Sequence, residues 1–368
     1  TLMAKKALLI ATVQSHIAQF HRPLIKILRE EGYEIYVAAR DNLREKNGLD
    51  IANIDCKYDI PFERSPFNRR NLKAYKELKK VINSNDYDII SCNTPVGGVL
   101  ARLGARKARK KGSTVIYTAH GFHFYEGAPK KNWLMYYPME KAMAFFTDKL
   151  VTITKEDYKL AQKKFPCKSY RIHGVGIDTL KYDSVTDKQI ALIKEEWGLE
   201  GKFVILCTGE LNDNKNQTTL IEAMQIVVKS VPNVSLLLAG NGPKEQILRE
   251  KIKEFRLQDY IQMLGYHTDL EIYAHAADMV VTVSLREGLP LNVVEAMYLK
   301  KPVVASINRG HCELARNGKN GYLIPAKDQV KLAECIIDIA TDSAKAEAFG
   351  KIGRNDPCWC GSGKKYKI

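Results

Sequence analysis

The sequence predicts an α/β protein of two doubly wound domains. Three observations carry that expectation. The 368 residues exceed what a single hydrophobic core usually fills. Short β-branched runs alternate with amphipathic stretches of helical period, as βαβ crossovers over a parallel sheet require. The alternation also stops in a polar stretch after Asp178 and then begins again.

Taken in order, strands are expected at residues 7–13, 33–39, 88–93, 114–120, 149–154 and 170–173, with helices at 17–31, 71–83, 96–111 and 133–146. The second series places strands at 203–208, 234–239, 261–264, 279–284 and 303–306. The expected domains are residues 1–178, residues 179–350 and a short tail, 351–368. Sheets of this kind bind ligands beyond the carboxyl ends of their strands, so two such edges facing a central cleft are the expected arrangement.

The net charge of +15 is concentrated in the first half. Up to Asp178 there are 32 Lys and Arg against 18 Asp and Glu, and after it 25 against 24. A basic half attracts nucleic acid, anionic lipid or an anionic substrate, and sign alone does not choose among them. The run from Arg102 to Lys111 lacks the interleaved aromatics of single-strand binders, so nucleic acid is not the expected partner. Apolar runs fall far short of the roughly 20 residues of a membrane span. The first residues carry neither an apolar h-region nor a cleavage site, and the eight cysteines are scattered rather than framed as disulfides. An unsecreted protein in a reducing compartment is the expectation.

The first strand enters its helix through Thr12-Val-Gln-Ser-His16 without a G-x-G-x-x-G, and no Walker loop follows any strand. The chemistry must lie elsewhere. The most specific segment is Ser284-Leu-Arg-Glu-Gly-Leu-Pro-Leu-Asn-Val-Val-Glu-Ala-Met297. A strand ends there in a loop holding Arg286, Glu287 and Gly288, and Pro290 suits the first turn of the next helix. Backbone N–H groups around Leu289 to Leu291 would meet an anion at that helix start, and Glu287 and Glu295 would offer acceptors to two sets of sugar hydroxyls. Read blandly, the two acids are a helix-start residue and a solvated helix residue.

The second series of strands opens with Thr208-Gly-Glu-Leu-Asn-Asp-Asn-Lys-Asn-Gln217, where the strand yields at Gly209 to a polar loop and Asn214 and Lys215 precede a helix. A cation there suits a diphosphate leaving group. Gly240, Asn241 and Gly242 follow the next strand, allowing either close approach of a ligand or a plain turn. In the first half, His120 and Gly121 end one strand and His16 ends another. A lone His at such a place is as readily structural.

These segments resemble the large retaining glycosyltransferase family of GT-B fold that includes bacterial capsule and exopolysaccharide enzymes. The resemblance runs through Thr94-Pro-Val-Gly-Gly98, Thr118-Ala-His-Gly-Phe-His-Phe-Tyr125, Val175-Gly-Ile-Asp178, Gly240-Asn-Gly-Pro243 and Arg286 to Glu295. It implies that Glu287 contacts the donor sugar, Glu295 the ribose, Lys215 the diphosphate, and His120 the sugar and reacting centre. The basic residue many members carry after the strand-end glycine is here Glu210, which leaves charge neutralisation to Lys215, helix termini, Arg286 and Arg309.

The resemblance further implies a UDP-sugar donor with no required cofactor, a glycan or polyprenyl-linked acceptor, and work at the inner face of the membrane through the basic half. The tail resembles the first half of a SEC-C zinc motif. Cys358 and Cys360 supply two ligands where structural zinc takes four, which makes them weak zinc candidates, and the transfer that the resemblance implies needs no metal. Alternatives on the same residues are a nucleotide-sugar epimerase of this fold and a basic module binding nucleic acid or a protein partner.

Overall fold

A computed structural model describes residues 4–46, 49–172, 174 and 176–351. The SEC-C-like tail with Cys358 and Cys360, and Val175 of the Val-Gly-Ile-Asp motif, lie outside the described residues. The chain divides into two compact units, residues 1–176 and 177–368.

The first unit is a seven-stranded parallel sheet. Its strands are β1 (Lys5–Val13), β2 (Tyr33–Arg40), β3 (Cys56–Asp59), β4 (Ile89–Asn93), β5 (Thr114–Ala119), β6 (Lys149–Thr152) and β7 (Lys168–Arg171), in the order β3-β2-β1-β4-β5-β6-β7. The second unit has six: β8 (Phe203–Thr208), β9 (Val234–Ala239), β10 (Ile261–Gly265), β11 (Met279–Thr282), β12 (Val303–Ser306) and β13 (Gly321–Ile324), in the order β10-β9-β8-β11-β12-β13. All observed pairings are parallel. In each sheet the order reverses beside the first strand, at β1/β4 and at β8/β11. Such reversals splay the adjacent loops and open a crevice at the carboxyl edge.

Central strands are covered on both faces, so β9 is buried along its whole length and reads as a nearly continuous apolar run. The expected strands appear with ends shifted by a residue or two. Two strands were not anticipated. β3 is an edge strand of half-buried and exposed residues with no apolar run, and β13 is four residues at the other sheet's edge.

Two expected helices are each broken in two. Residues 17–31 form the helices Gln14–Phe20 and Arg22–Glu30, separated at His21. Pro23, lacking an amide hydrogen, fits only the first turn of the second piece. The break turns His21 inward, where it is 3% exposed. Residues 96–111 form Pro95–Gly104 and Arg106–Lys110. Arg102 does not belong to a surface run of basic residues. It is buried, ion-paired with Glu140 at 2.8 Å and stacked on Tyr117.

Candidate active site

The sequence-predicted residues of the second unit gather at the carboxyl edge of β8, β9 and β11. Beyond β8, Lys215 Nζ donates to Glu287 Oε1 at 2.7 Å, joining the two loops that flank the β8/β11 reversal. Asn214 fastens the same loops. Its carbonyl accepts from Leu285 N at 2.7 Å, and its side-chain amide donates to Arg286 O at 3.0 Å. Asn216, at φ 55°, turns the chain into the helix Gln217–Ser230 while its amide donates to Val283 O and Ala326 O.

The glycines of this edge have steric reasons. Gly240 stands at φ 145°, and a Cβ there would lie 2.0 Å from Gly209 O. A Cβ on Gly242 would lie 2.4 Å from Leu211 O, while one on Gly209 would press on the Lys215 side chain. The β8 and β9 loops therefore cross backbone against backbone, which only glycine permits. Asn241 stays exposed at the turn and uses its carbonyl to accept from Leu211 N. Gly288 and Leu289 continue the loop after Glu287.

Pro290 is not inside the helix's first turn, as expected, but at its N-cap, and the helix is Leu291–Tyr298. Its fixed φ of −76° suits that place too, since the cap is extended. No side chain caps this end and no acid occupies its first turn, so the first amides present a positive pole. Glu295 lies on the same helix, half-buried, and is hydrogen-bonded to Tyr182. Burial raises its pKa, opposed by that bond and by the charge of Lys181.

Several residues of this edge escaped the sequence reading. The loop after β12 holds the Glu287 loop from behind: Ser306 Oγ and the Asn308 amide both donate to Ser284 O, at 2.6 and 2.9 Å. A Cβ on Gly310 would strike Gly288 O at 2.4 Å. His311 is fully buried beside this loop, and burial pushes its pKa down to about 4. The legible signal was Asn308, a helix N-cap type directly after a strand; its side chain caps Arg309–Leu314 by accepting from His311 N. Tyr182 had no signal, because only the fold brings it to Glu295.

In the first unit, the edge at the β1/β4 reversal is a cluster of imidazoles. His16 Nε2 and His120 Nε2 are 3.4 Å apart. Asn93, wholly buried at the end of β4, contacts His21 Nε2 at 2.9 Å and His120 Nε2 at 3.4 Å. Burial lowers all three pKa values, that of His120 to about 3, so the rings are neutral near pH 7. Gly121 follows at φ 127°, and Phe122 N is held by the buried carboxylate of Asp157. Thr94 is a non-glycine residue at φ 63°, fixed by contacts of its hydroxyl with Thr12 N at 3.0 Å and Thr12 Oγ1 at 2.7 Å. Strain of this kind persists where the surroundings over-determine it. The following glycines serve packing: a Cβ on Gly98 would enter the Tyr117 ring at 2.6 Å.

Comparison with known proteins matches residues 189–356 to the family "Glycosyl transferases group 1", residues 6–154 to "Glycosyl transferase 4-like" and residues 354–368 to the SEC-C motif. The putative glycosyltransferase EpsD of Bacillus subtilis is 40% identical, over 96% of this chain and 92% of its own. An Escherichia coli UDP-Gal:alpha-D-GlcNAc-diphosphoundecaprenol alpha-1,3-galactosyltransferase is 27% identical over 74% of this chain and 71% of that one. Among solved structures, Anabaena HepE in complex with UDP-glucose superposes with a TM-score of 0.73 at 21% identity, covering 94% of this chain and 92% of that one. The likeness shows the fold, that of the GT-B glycosyltransferases.

Proposed function

Because this chain belongs to the group 1 glycosyl transferases, we propose that it transfers a hexose from a UDP-sugar, with retention of configuration, to a glycan or polyprenyl-linked acceptor in capsule or exopolysaccharide synthesis. The observation that carries this reading is the Lys215–Glu287 pair at the β8/β11 reversal. A cation at a strand's carboxyl edge supports a diphosphate there, and the carboxylate beside it supports a sugar next to the diphosphate.

In this reading the diphosphate takes Lys215 and the first amides of Leu291–Tyr298, Glu287 binds the sugar, and Glu295 binds the ribose. Lys215 and the helix pole stabilise the charge that grows on the departing phosphate, which itself accepts the proton of the attacking hydroxyl. His120, neutral, serves the sugar and reacting centre as a hydrogen-bonding group rather than a cation, with His16 and Gly121 on the same acceptor-side edge. Two relatives support the donor and acceptor classes: HepE was solved with UDP-glucose, and the E. coli relative is named for UDP-Gal and a diphosphoundecaprenol-linked sugar. A panel of nucleotide sugars, scored for binding and for slow donor hydrolysis, tests this. Binding of UDP-sugars above GDP-sugars is expected, and a preference for another base would overturn the donor assignment.

The basic first unit would meet the cytoplasmic face of the membrane, where a lipid-linked acceptor is presented. No helix among the described residues is long and apolar enough to cross a bilayer. Arg109 and Lys111 are partly neutralised by Asp148 and Asp86, leaving Arg106, Lys107 and Lys110 exposed, with Arg106 over the Phe146 ring. Near anionic lipid each such cation contributes about 1 kcal/mol. Salt-sensitive sedimentation with anionic vesicles is expected, weakened when Arg106, Lys107 and Lys110 are neutralised; equal binding to neutral vesicles would exclude this mode.

A further inference from the structure

We propose that His16, His21 and His120 form a binding site for one divalent transition ion of the zinc class. Each ring offers a nitrogen lying within 4.8 Å of the other two. His16 Nε2 and His120 Nε2 stand 3.4 Å apart, the separation that tetrahedral bonds of about 2.0 to 2.1 Å impose on two ligand nitrogens. Borderline ions of this class favour neutral imidazoles, and three of them leave a fourth position for water.

The three ligands come from separate elements. His16 lies on the helix after β1, His21 sits at the break between two helices, and His120 begins the loop after β5. The break at His21 is what brings it in. A single helix through residues 14–30 would put His21 about five residues, or 140°, round from His16. Asn93 contacts His21 Nε2 at 2.9 Å, the outer contact that orients an imidazole ligating through its other nitrogen. His16 and His120 are only partly buried, so an ion has an approach from solvent.

Occupancy would withdraw His120 from the reacting centre, so zinc would inhibit transfer. That consequence rests on the role proposed above for His120, whereas binding does not.

The test counts zinc bound per full-length chain at equilibrium, with circular dichroism confirming the fold. One equivalent is expected in the wild type. It should be lost in His16→Asn and in His21→Gln, and kept when Cys358 and Cys360 are both replaced by Ser. Absence of that equivalent, or its retention in both histidine variants, would overturn the site. Transfer is then measured with zinc present. Inhibition in the wild type and its absence in His21→Gln supports the competition; binding without inhibition removes the proposed role of His120 and leaves the metal site standing.

Discussion

The carboxyl edge of the first sheet gathers three imidazoles that burial keeps uncharged, whereas that of the second holds a lysine–carboxylate pair in a frame of glycines. Both edges lie at the same topological place, the strand reversal beside the first strand of each sheet. The difference is in what the backbone leaves room for. In the second unit, glycines at 209, 240, 242 and 310 let loops meet at van der Waals distance, and the charges of Lys215 and Glu287 remain within reach of solvent. In the first unit, the side chains of His16, His21, His120 and Asn93 fill that space themselves. One edge presents a charged pair and the other neutral hydrogen-bonding groups. The same topology thus carries two different side-chain clusters through loop composition alone.

That comparison breaks first at Glu287. Glu287→Ala should lower transfer by at least about 10²-fold at saturating donor, the scale of losing a key transition-state contact. The fold should persist, since the residue lies in a loop. Turnover near the wild-type rate would show that the charged edge is not where chemistry occurs.

Gly240→Ala tests whether the glycine frame is structural. Its Cβ would meet Gly209 O at 2.0 Å in a backbone conformation unfavourable to alanine, so a loss of about 3 kcal/mol is expected in denaturant unfolding. Gly127→Ala, at positive φ but in open space, should cost only about 1 kcal/mol. Equal costs would mean that the β8 and β9 loops can part.

Lys215→Ala should weaken binding of the free nucleoside diphosphate by about 1.5 to 3 kcal/mol, as for a charged hydrogen bond. Calorimetric titration with UDP measures it, and unchanged affinity would place the phosphate site elsewhere.

Acid separates the two edges as well. The folded pKa of His16, His21, His120 and His311 lies below the unfolded value of 6.5, so the unfolded chain takes up protons first. Stability from these groups is complete above about pH 6.5. It declines as pH falls toward the folded values, about 3 for His120 and about 4 for His311, by up to about 1.4 kcal/mol per pH unit for each proton. Three of the four lie in the first unit. Hydrogen exchange at pH 7 and pH 5 should therefore show the first unit losing more protection than the second, and His16→Asn should reduce the difference.

Much of this architecture is legible in the sequence. Alternating periods and their restart after Asp178 determined a doubly wound α/β chain, because parallel strands buried on both faces must read as apolar runs. The positions of Glu287, Lys215 and His120 beyond strand ends followed from the same alternation, since a strand's end fixes where its loop begins. Other features were decided only by tertiary structure. β3 needed β2 beside it to become a strand. The Glu295–Tyr182 bond joins residues more than a hundred positions apart in sequence, and Arg102 read as a surface charge until Glu140 came within 2.8 Å. His21 read as a mid-helix residue, yet the helix break carries it to Asn93, whose distance along the chain no local period encodes. Local pattern records what each segment buries; which partner it buries against is settled only when each unit folds, because those contacts join segments that the sequence keeps apart.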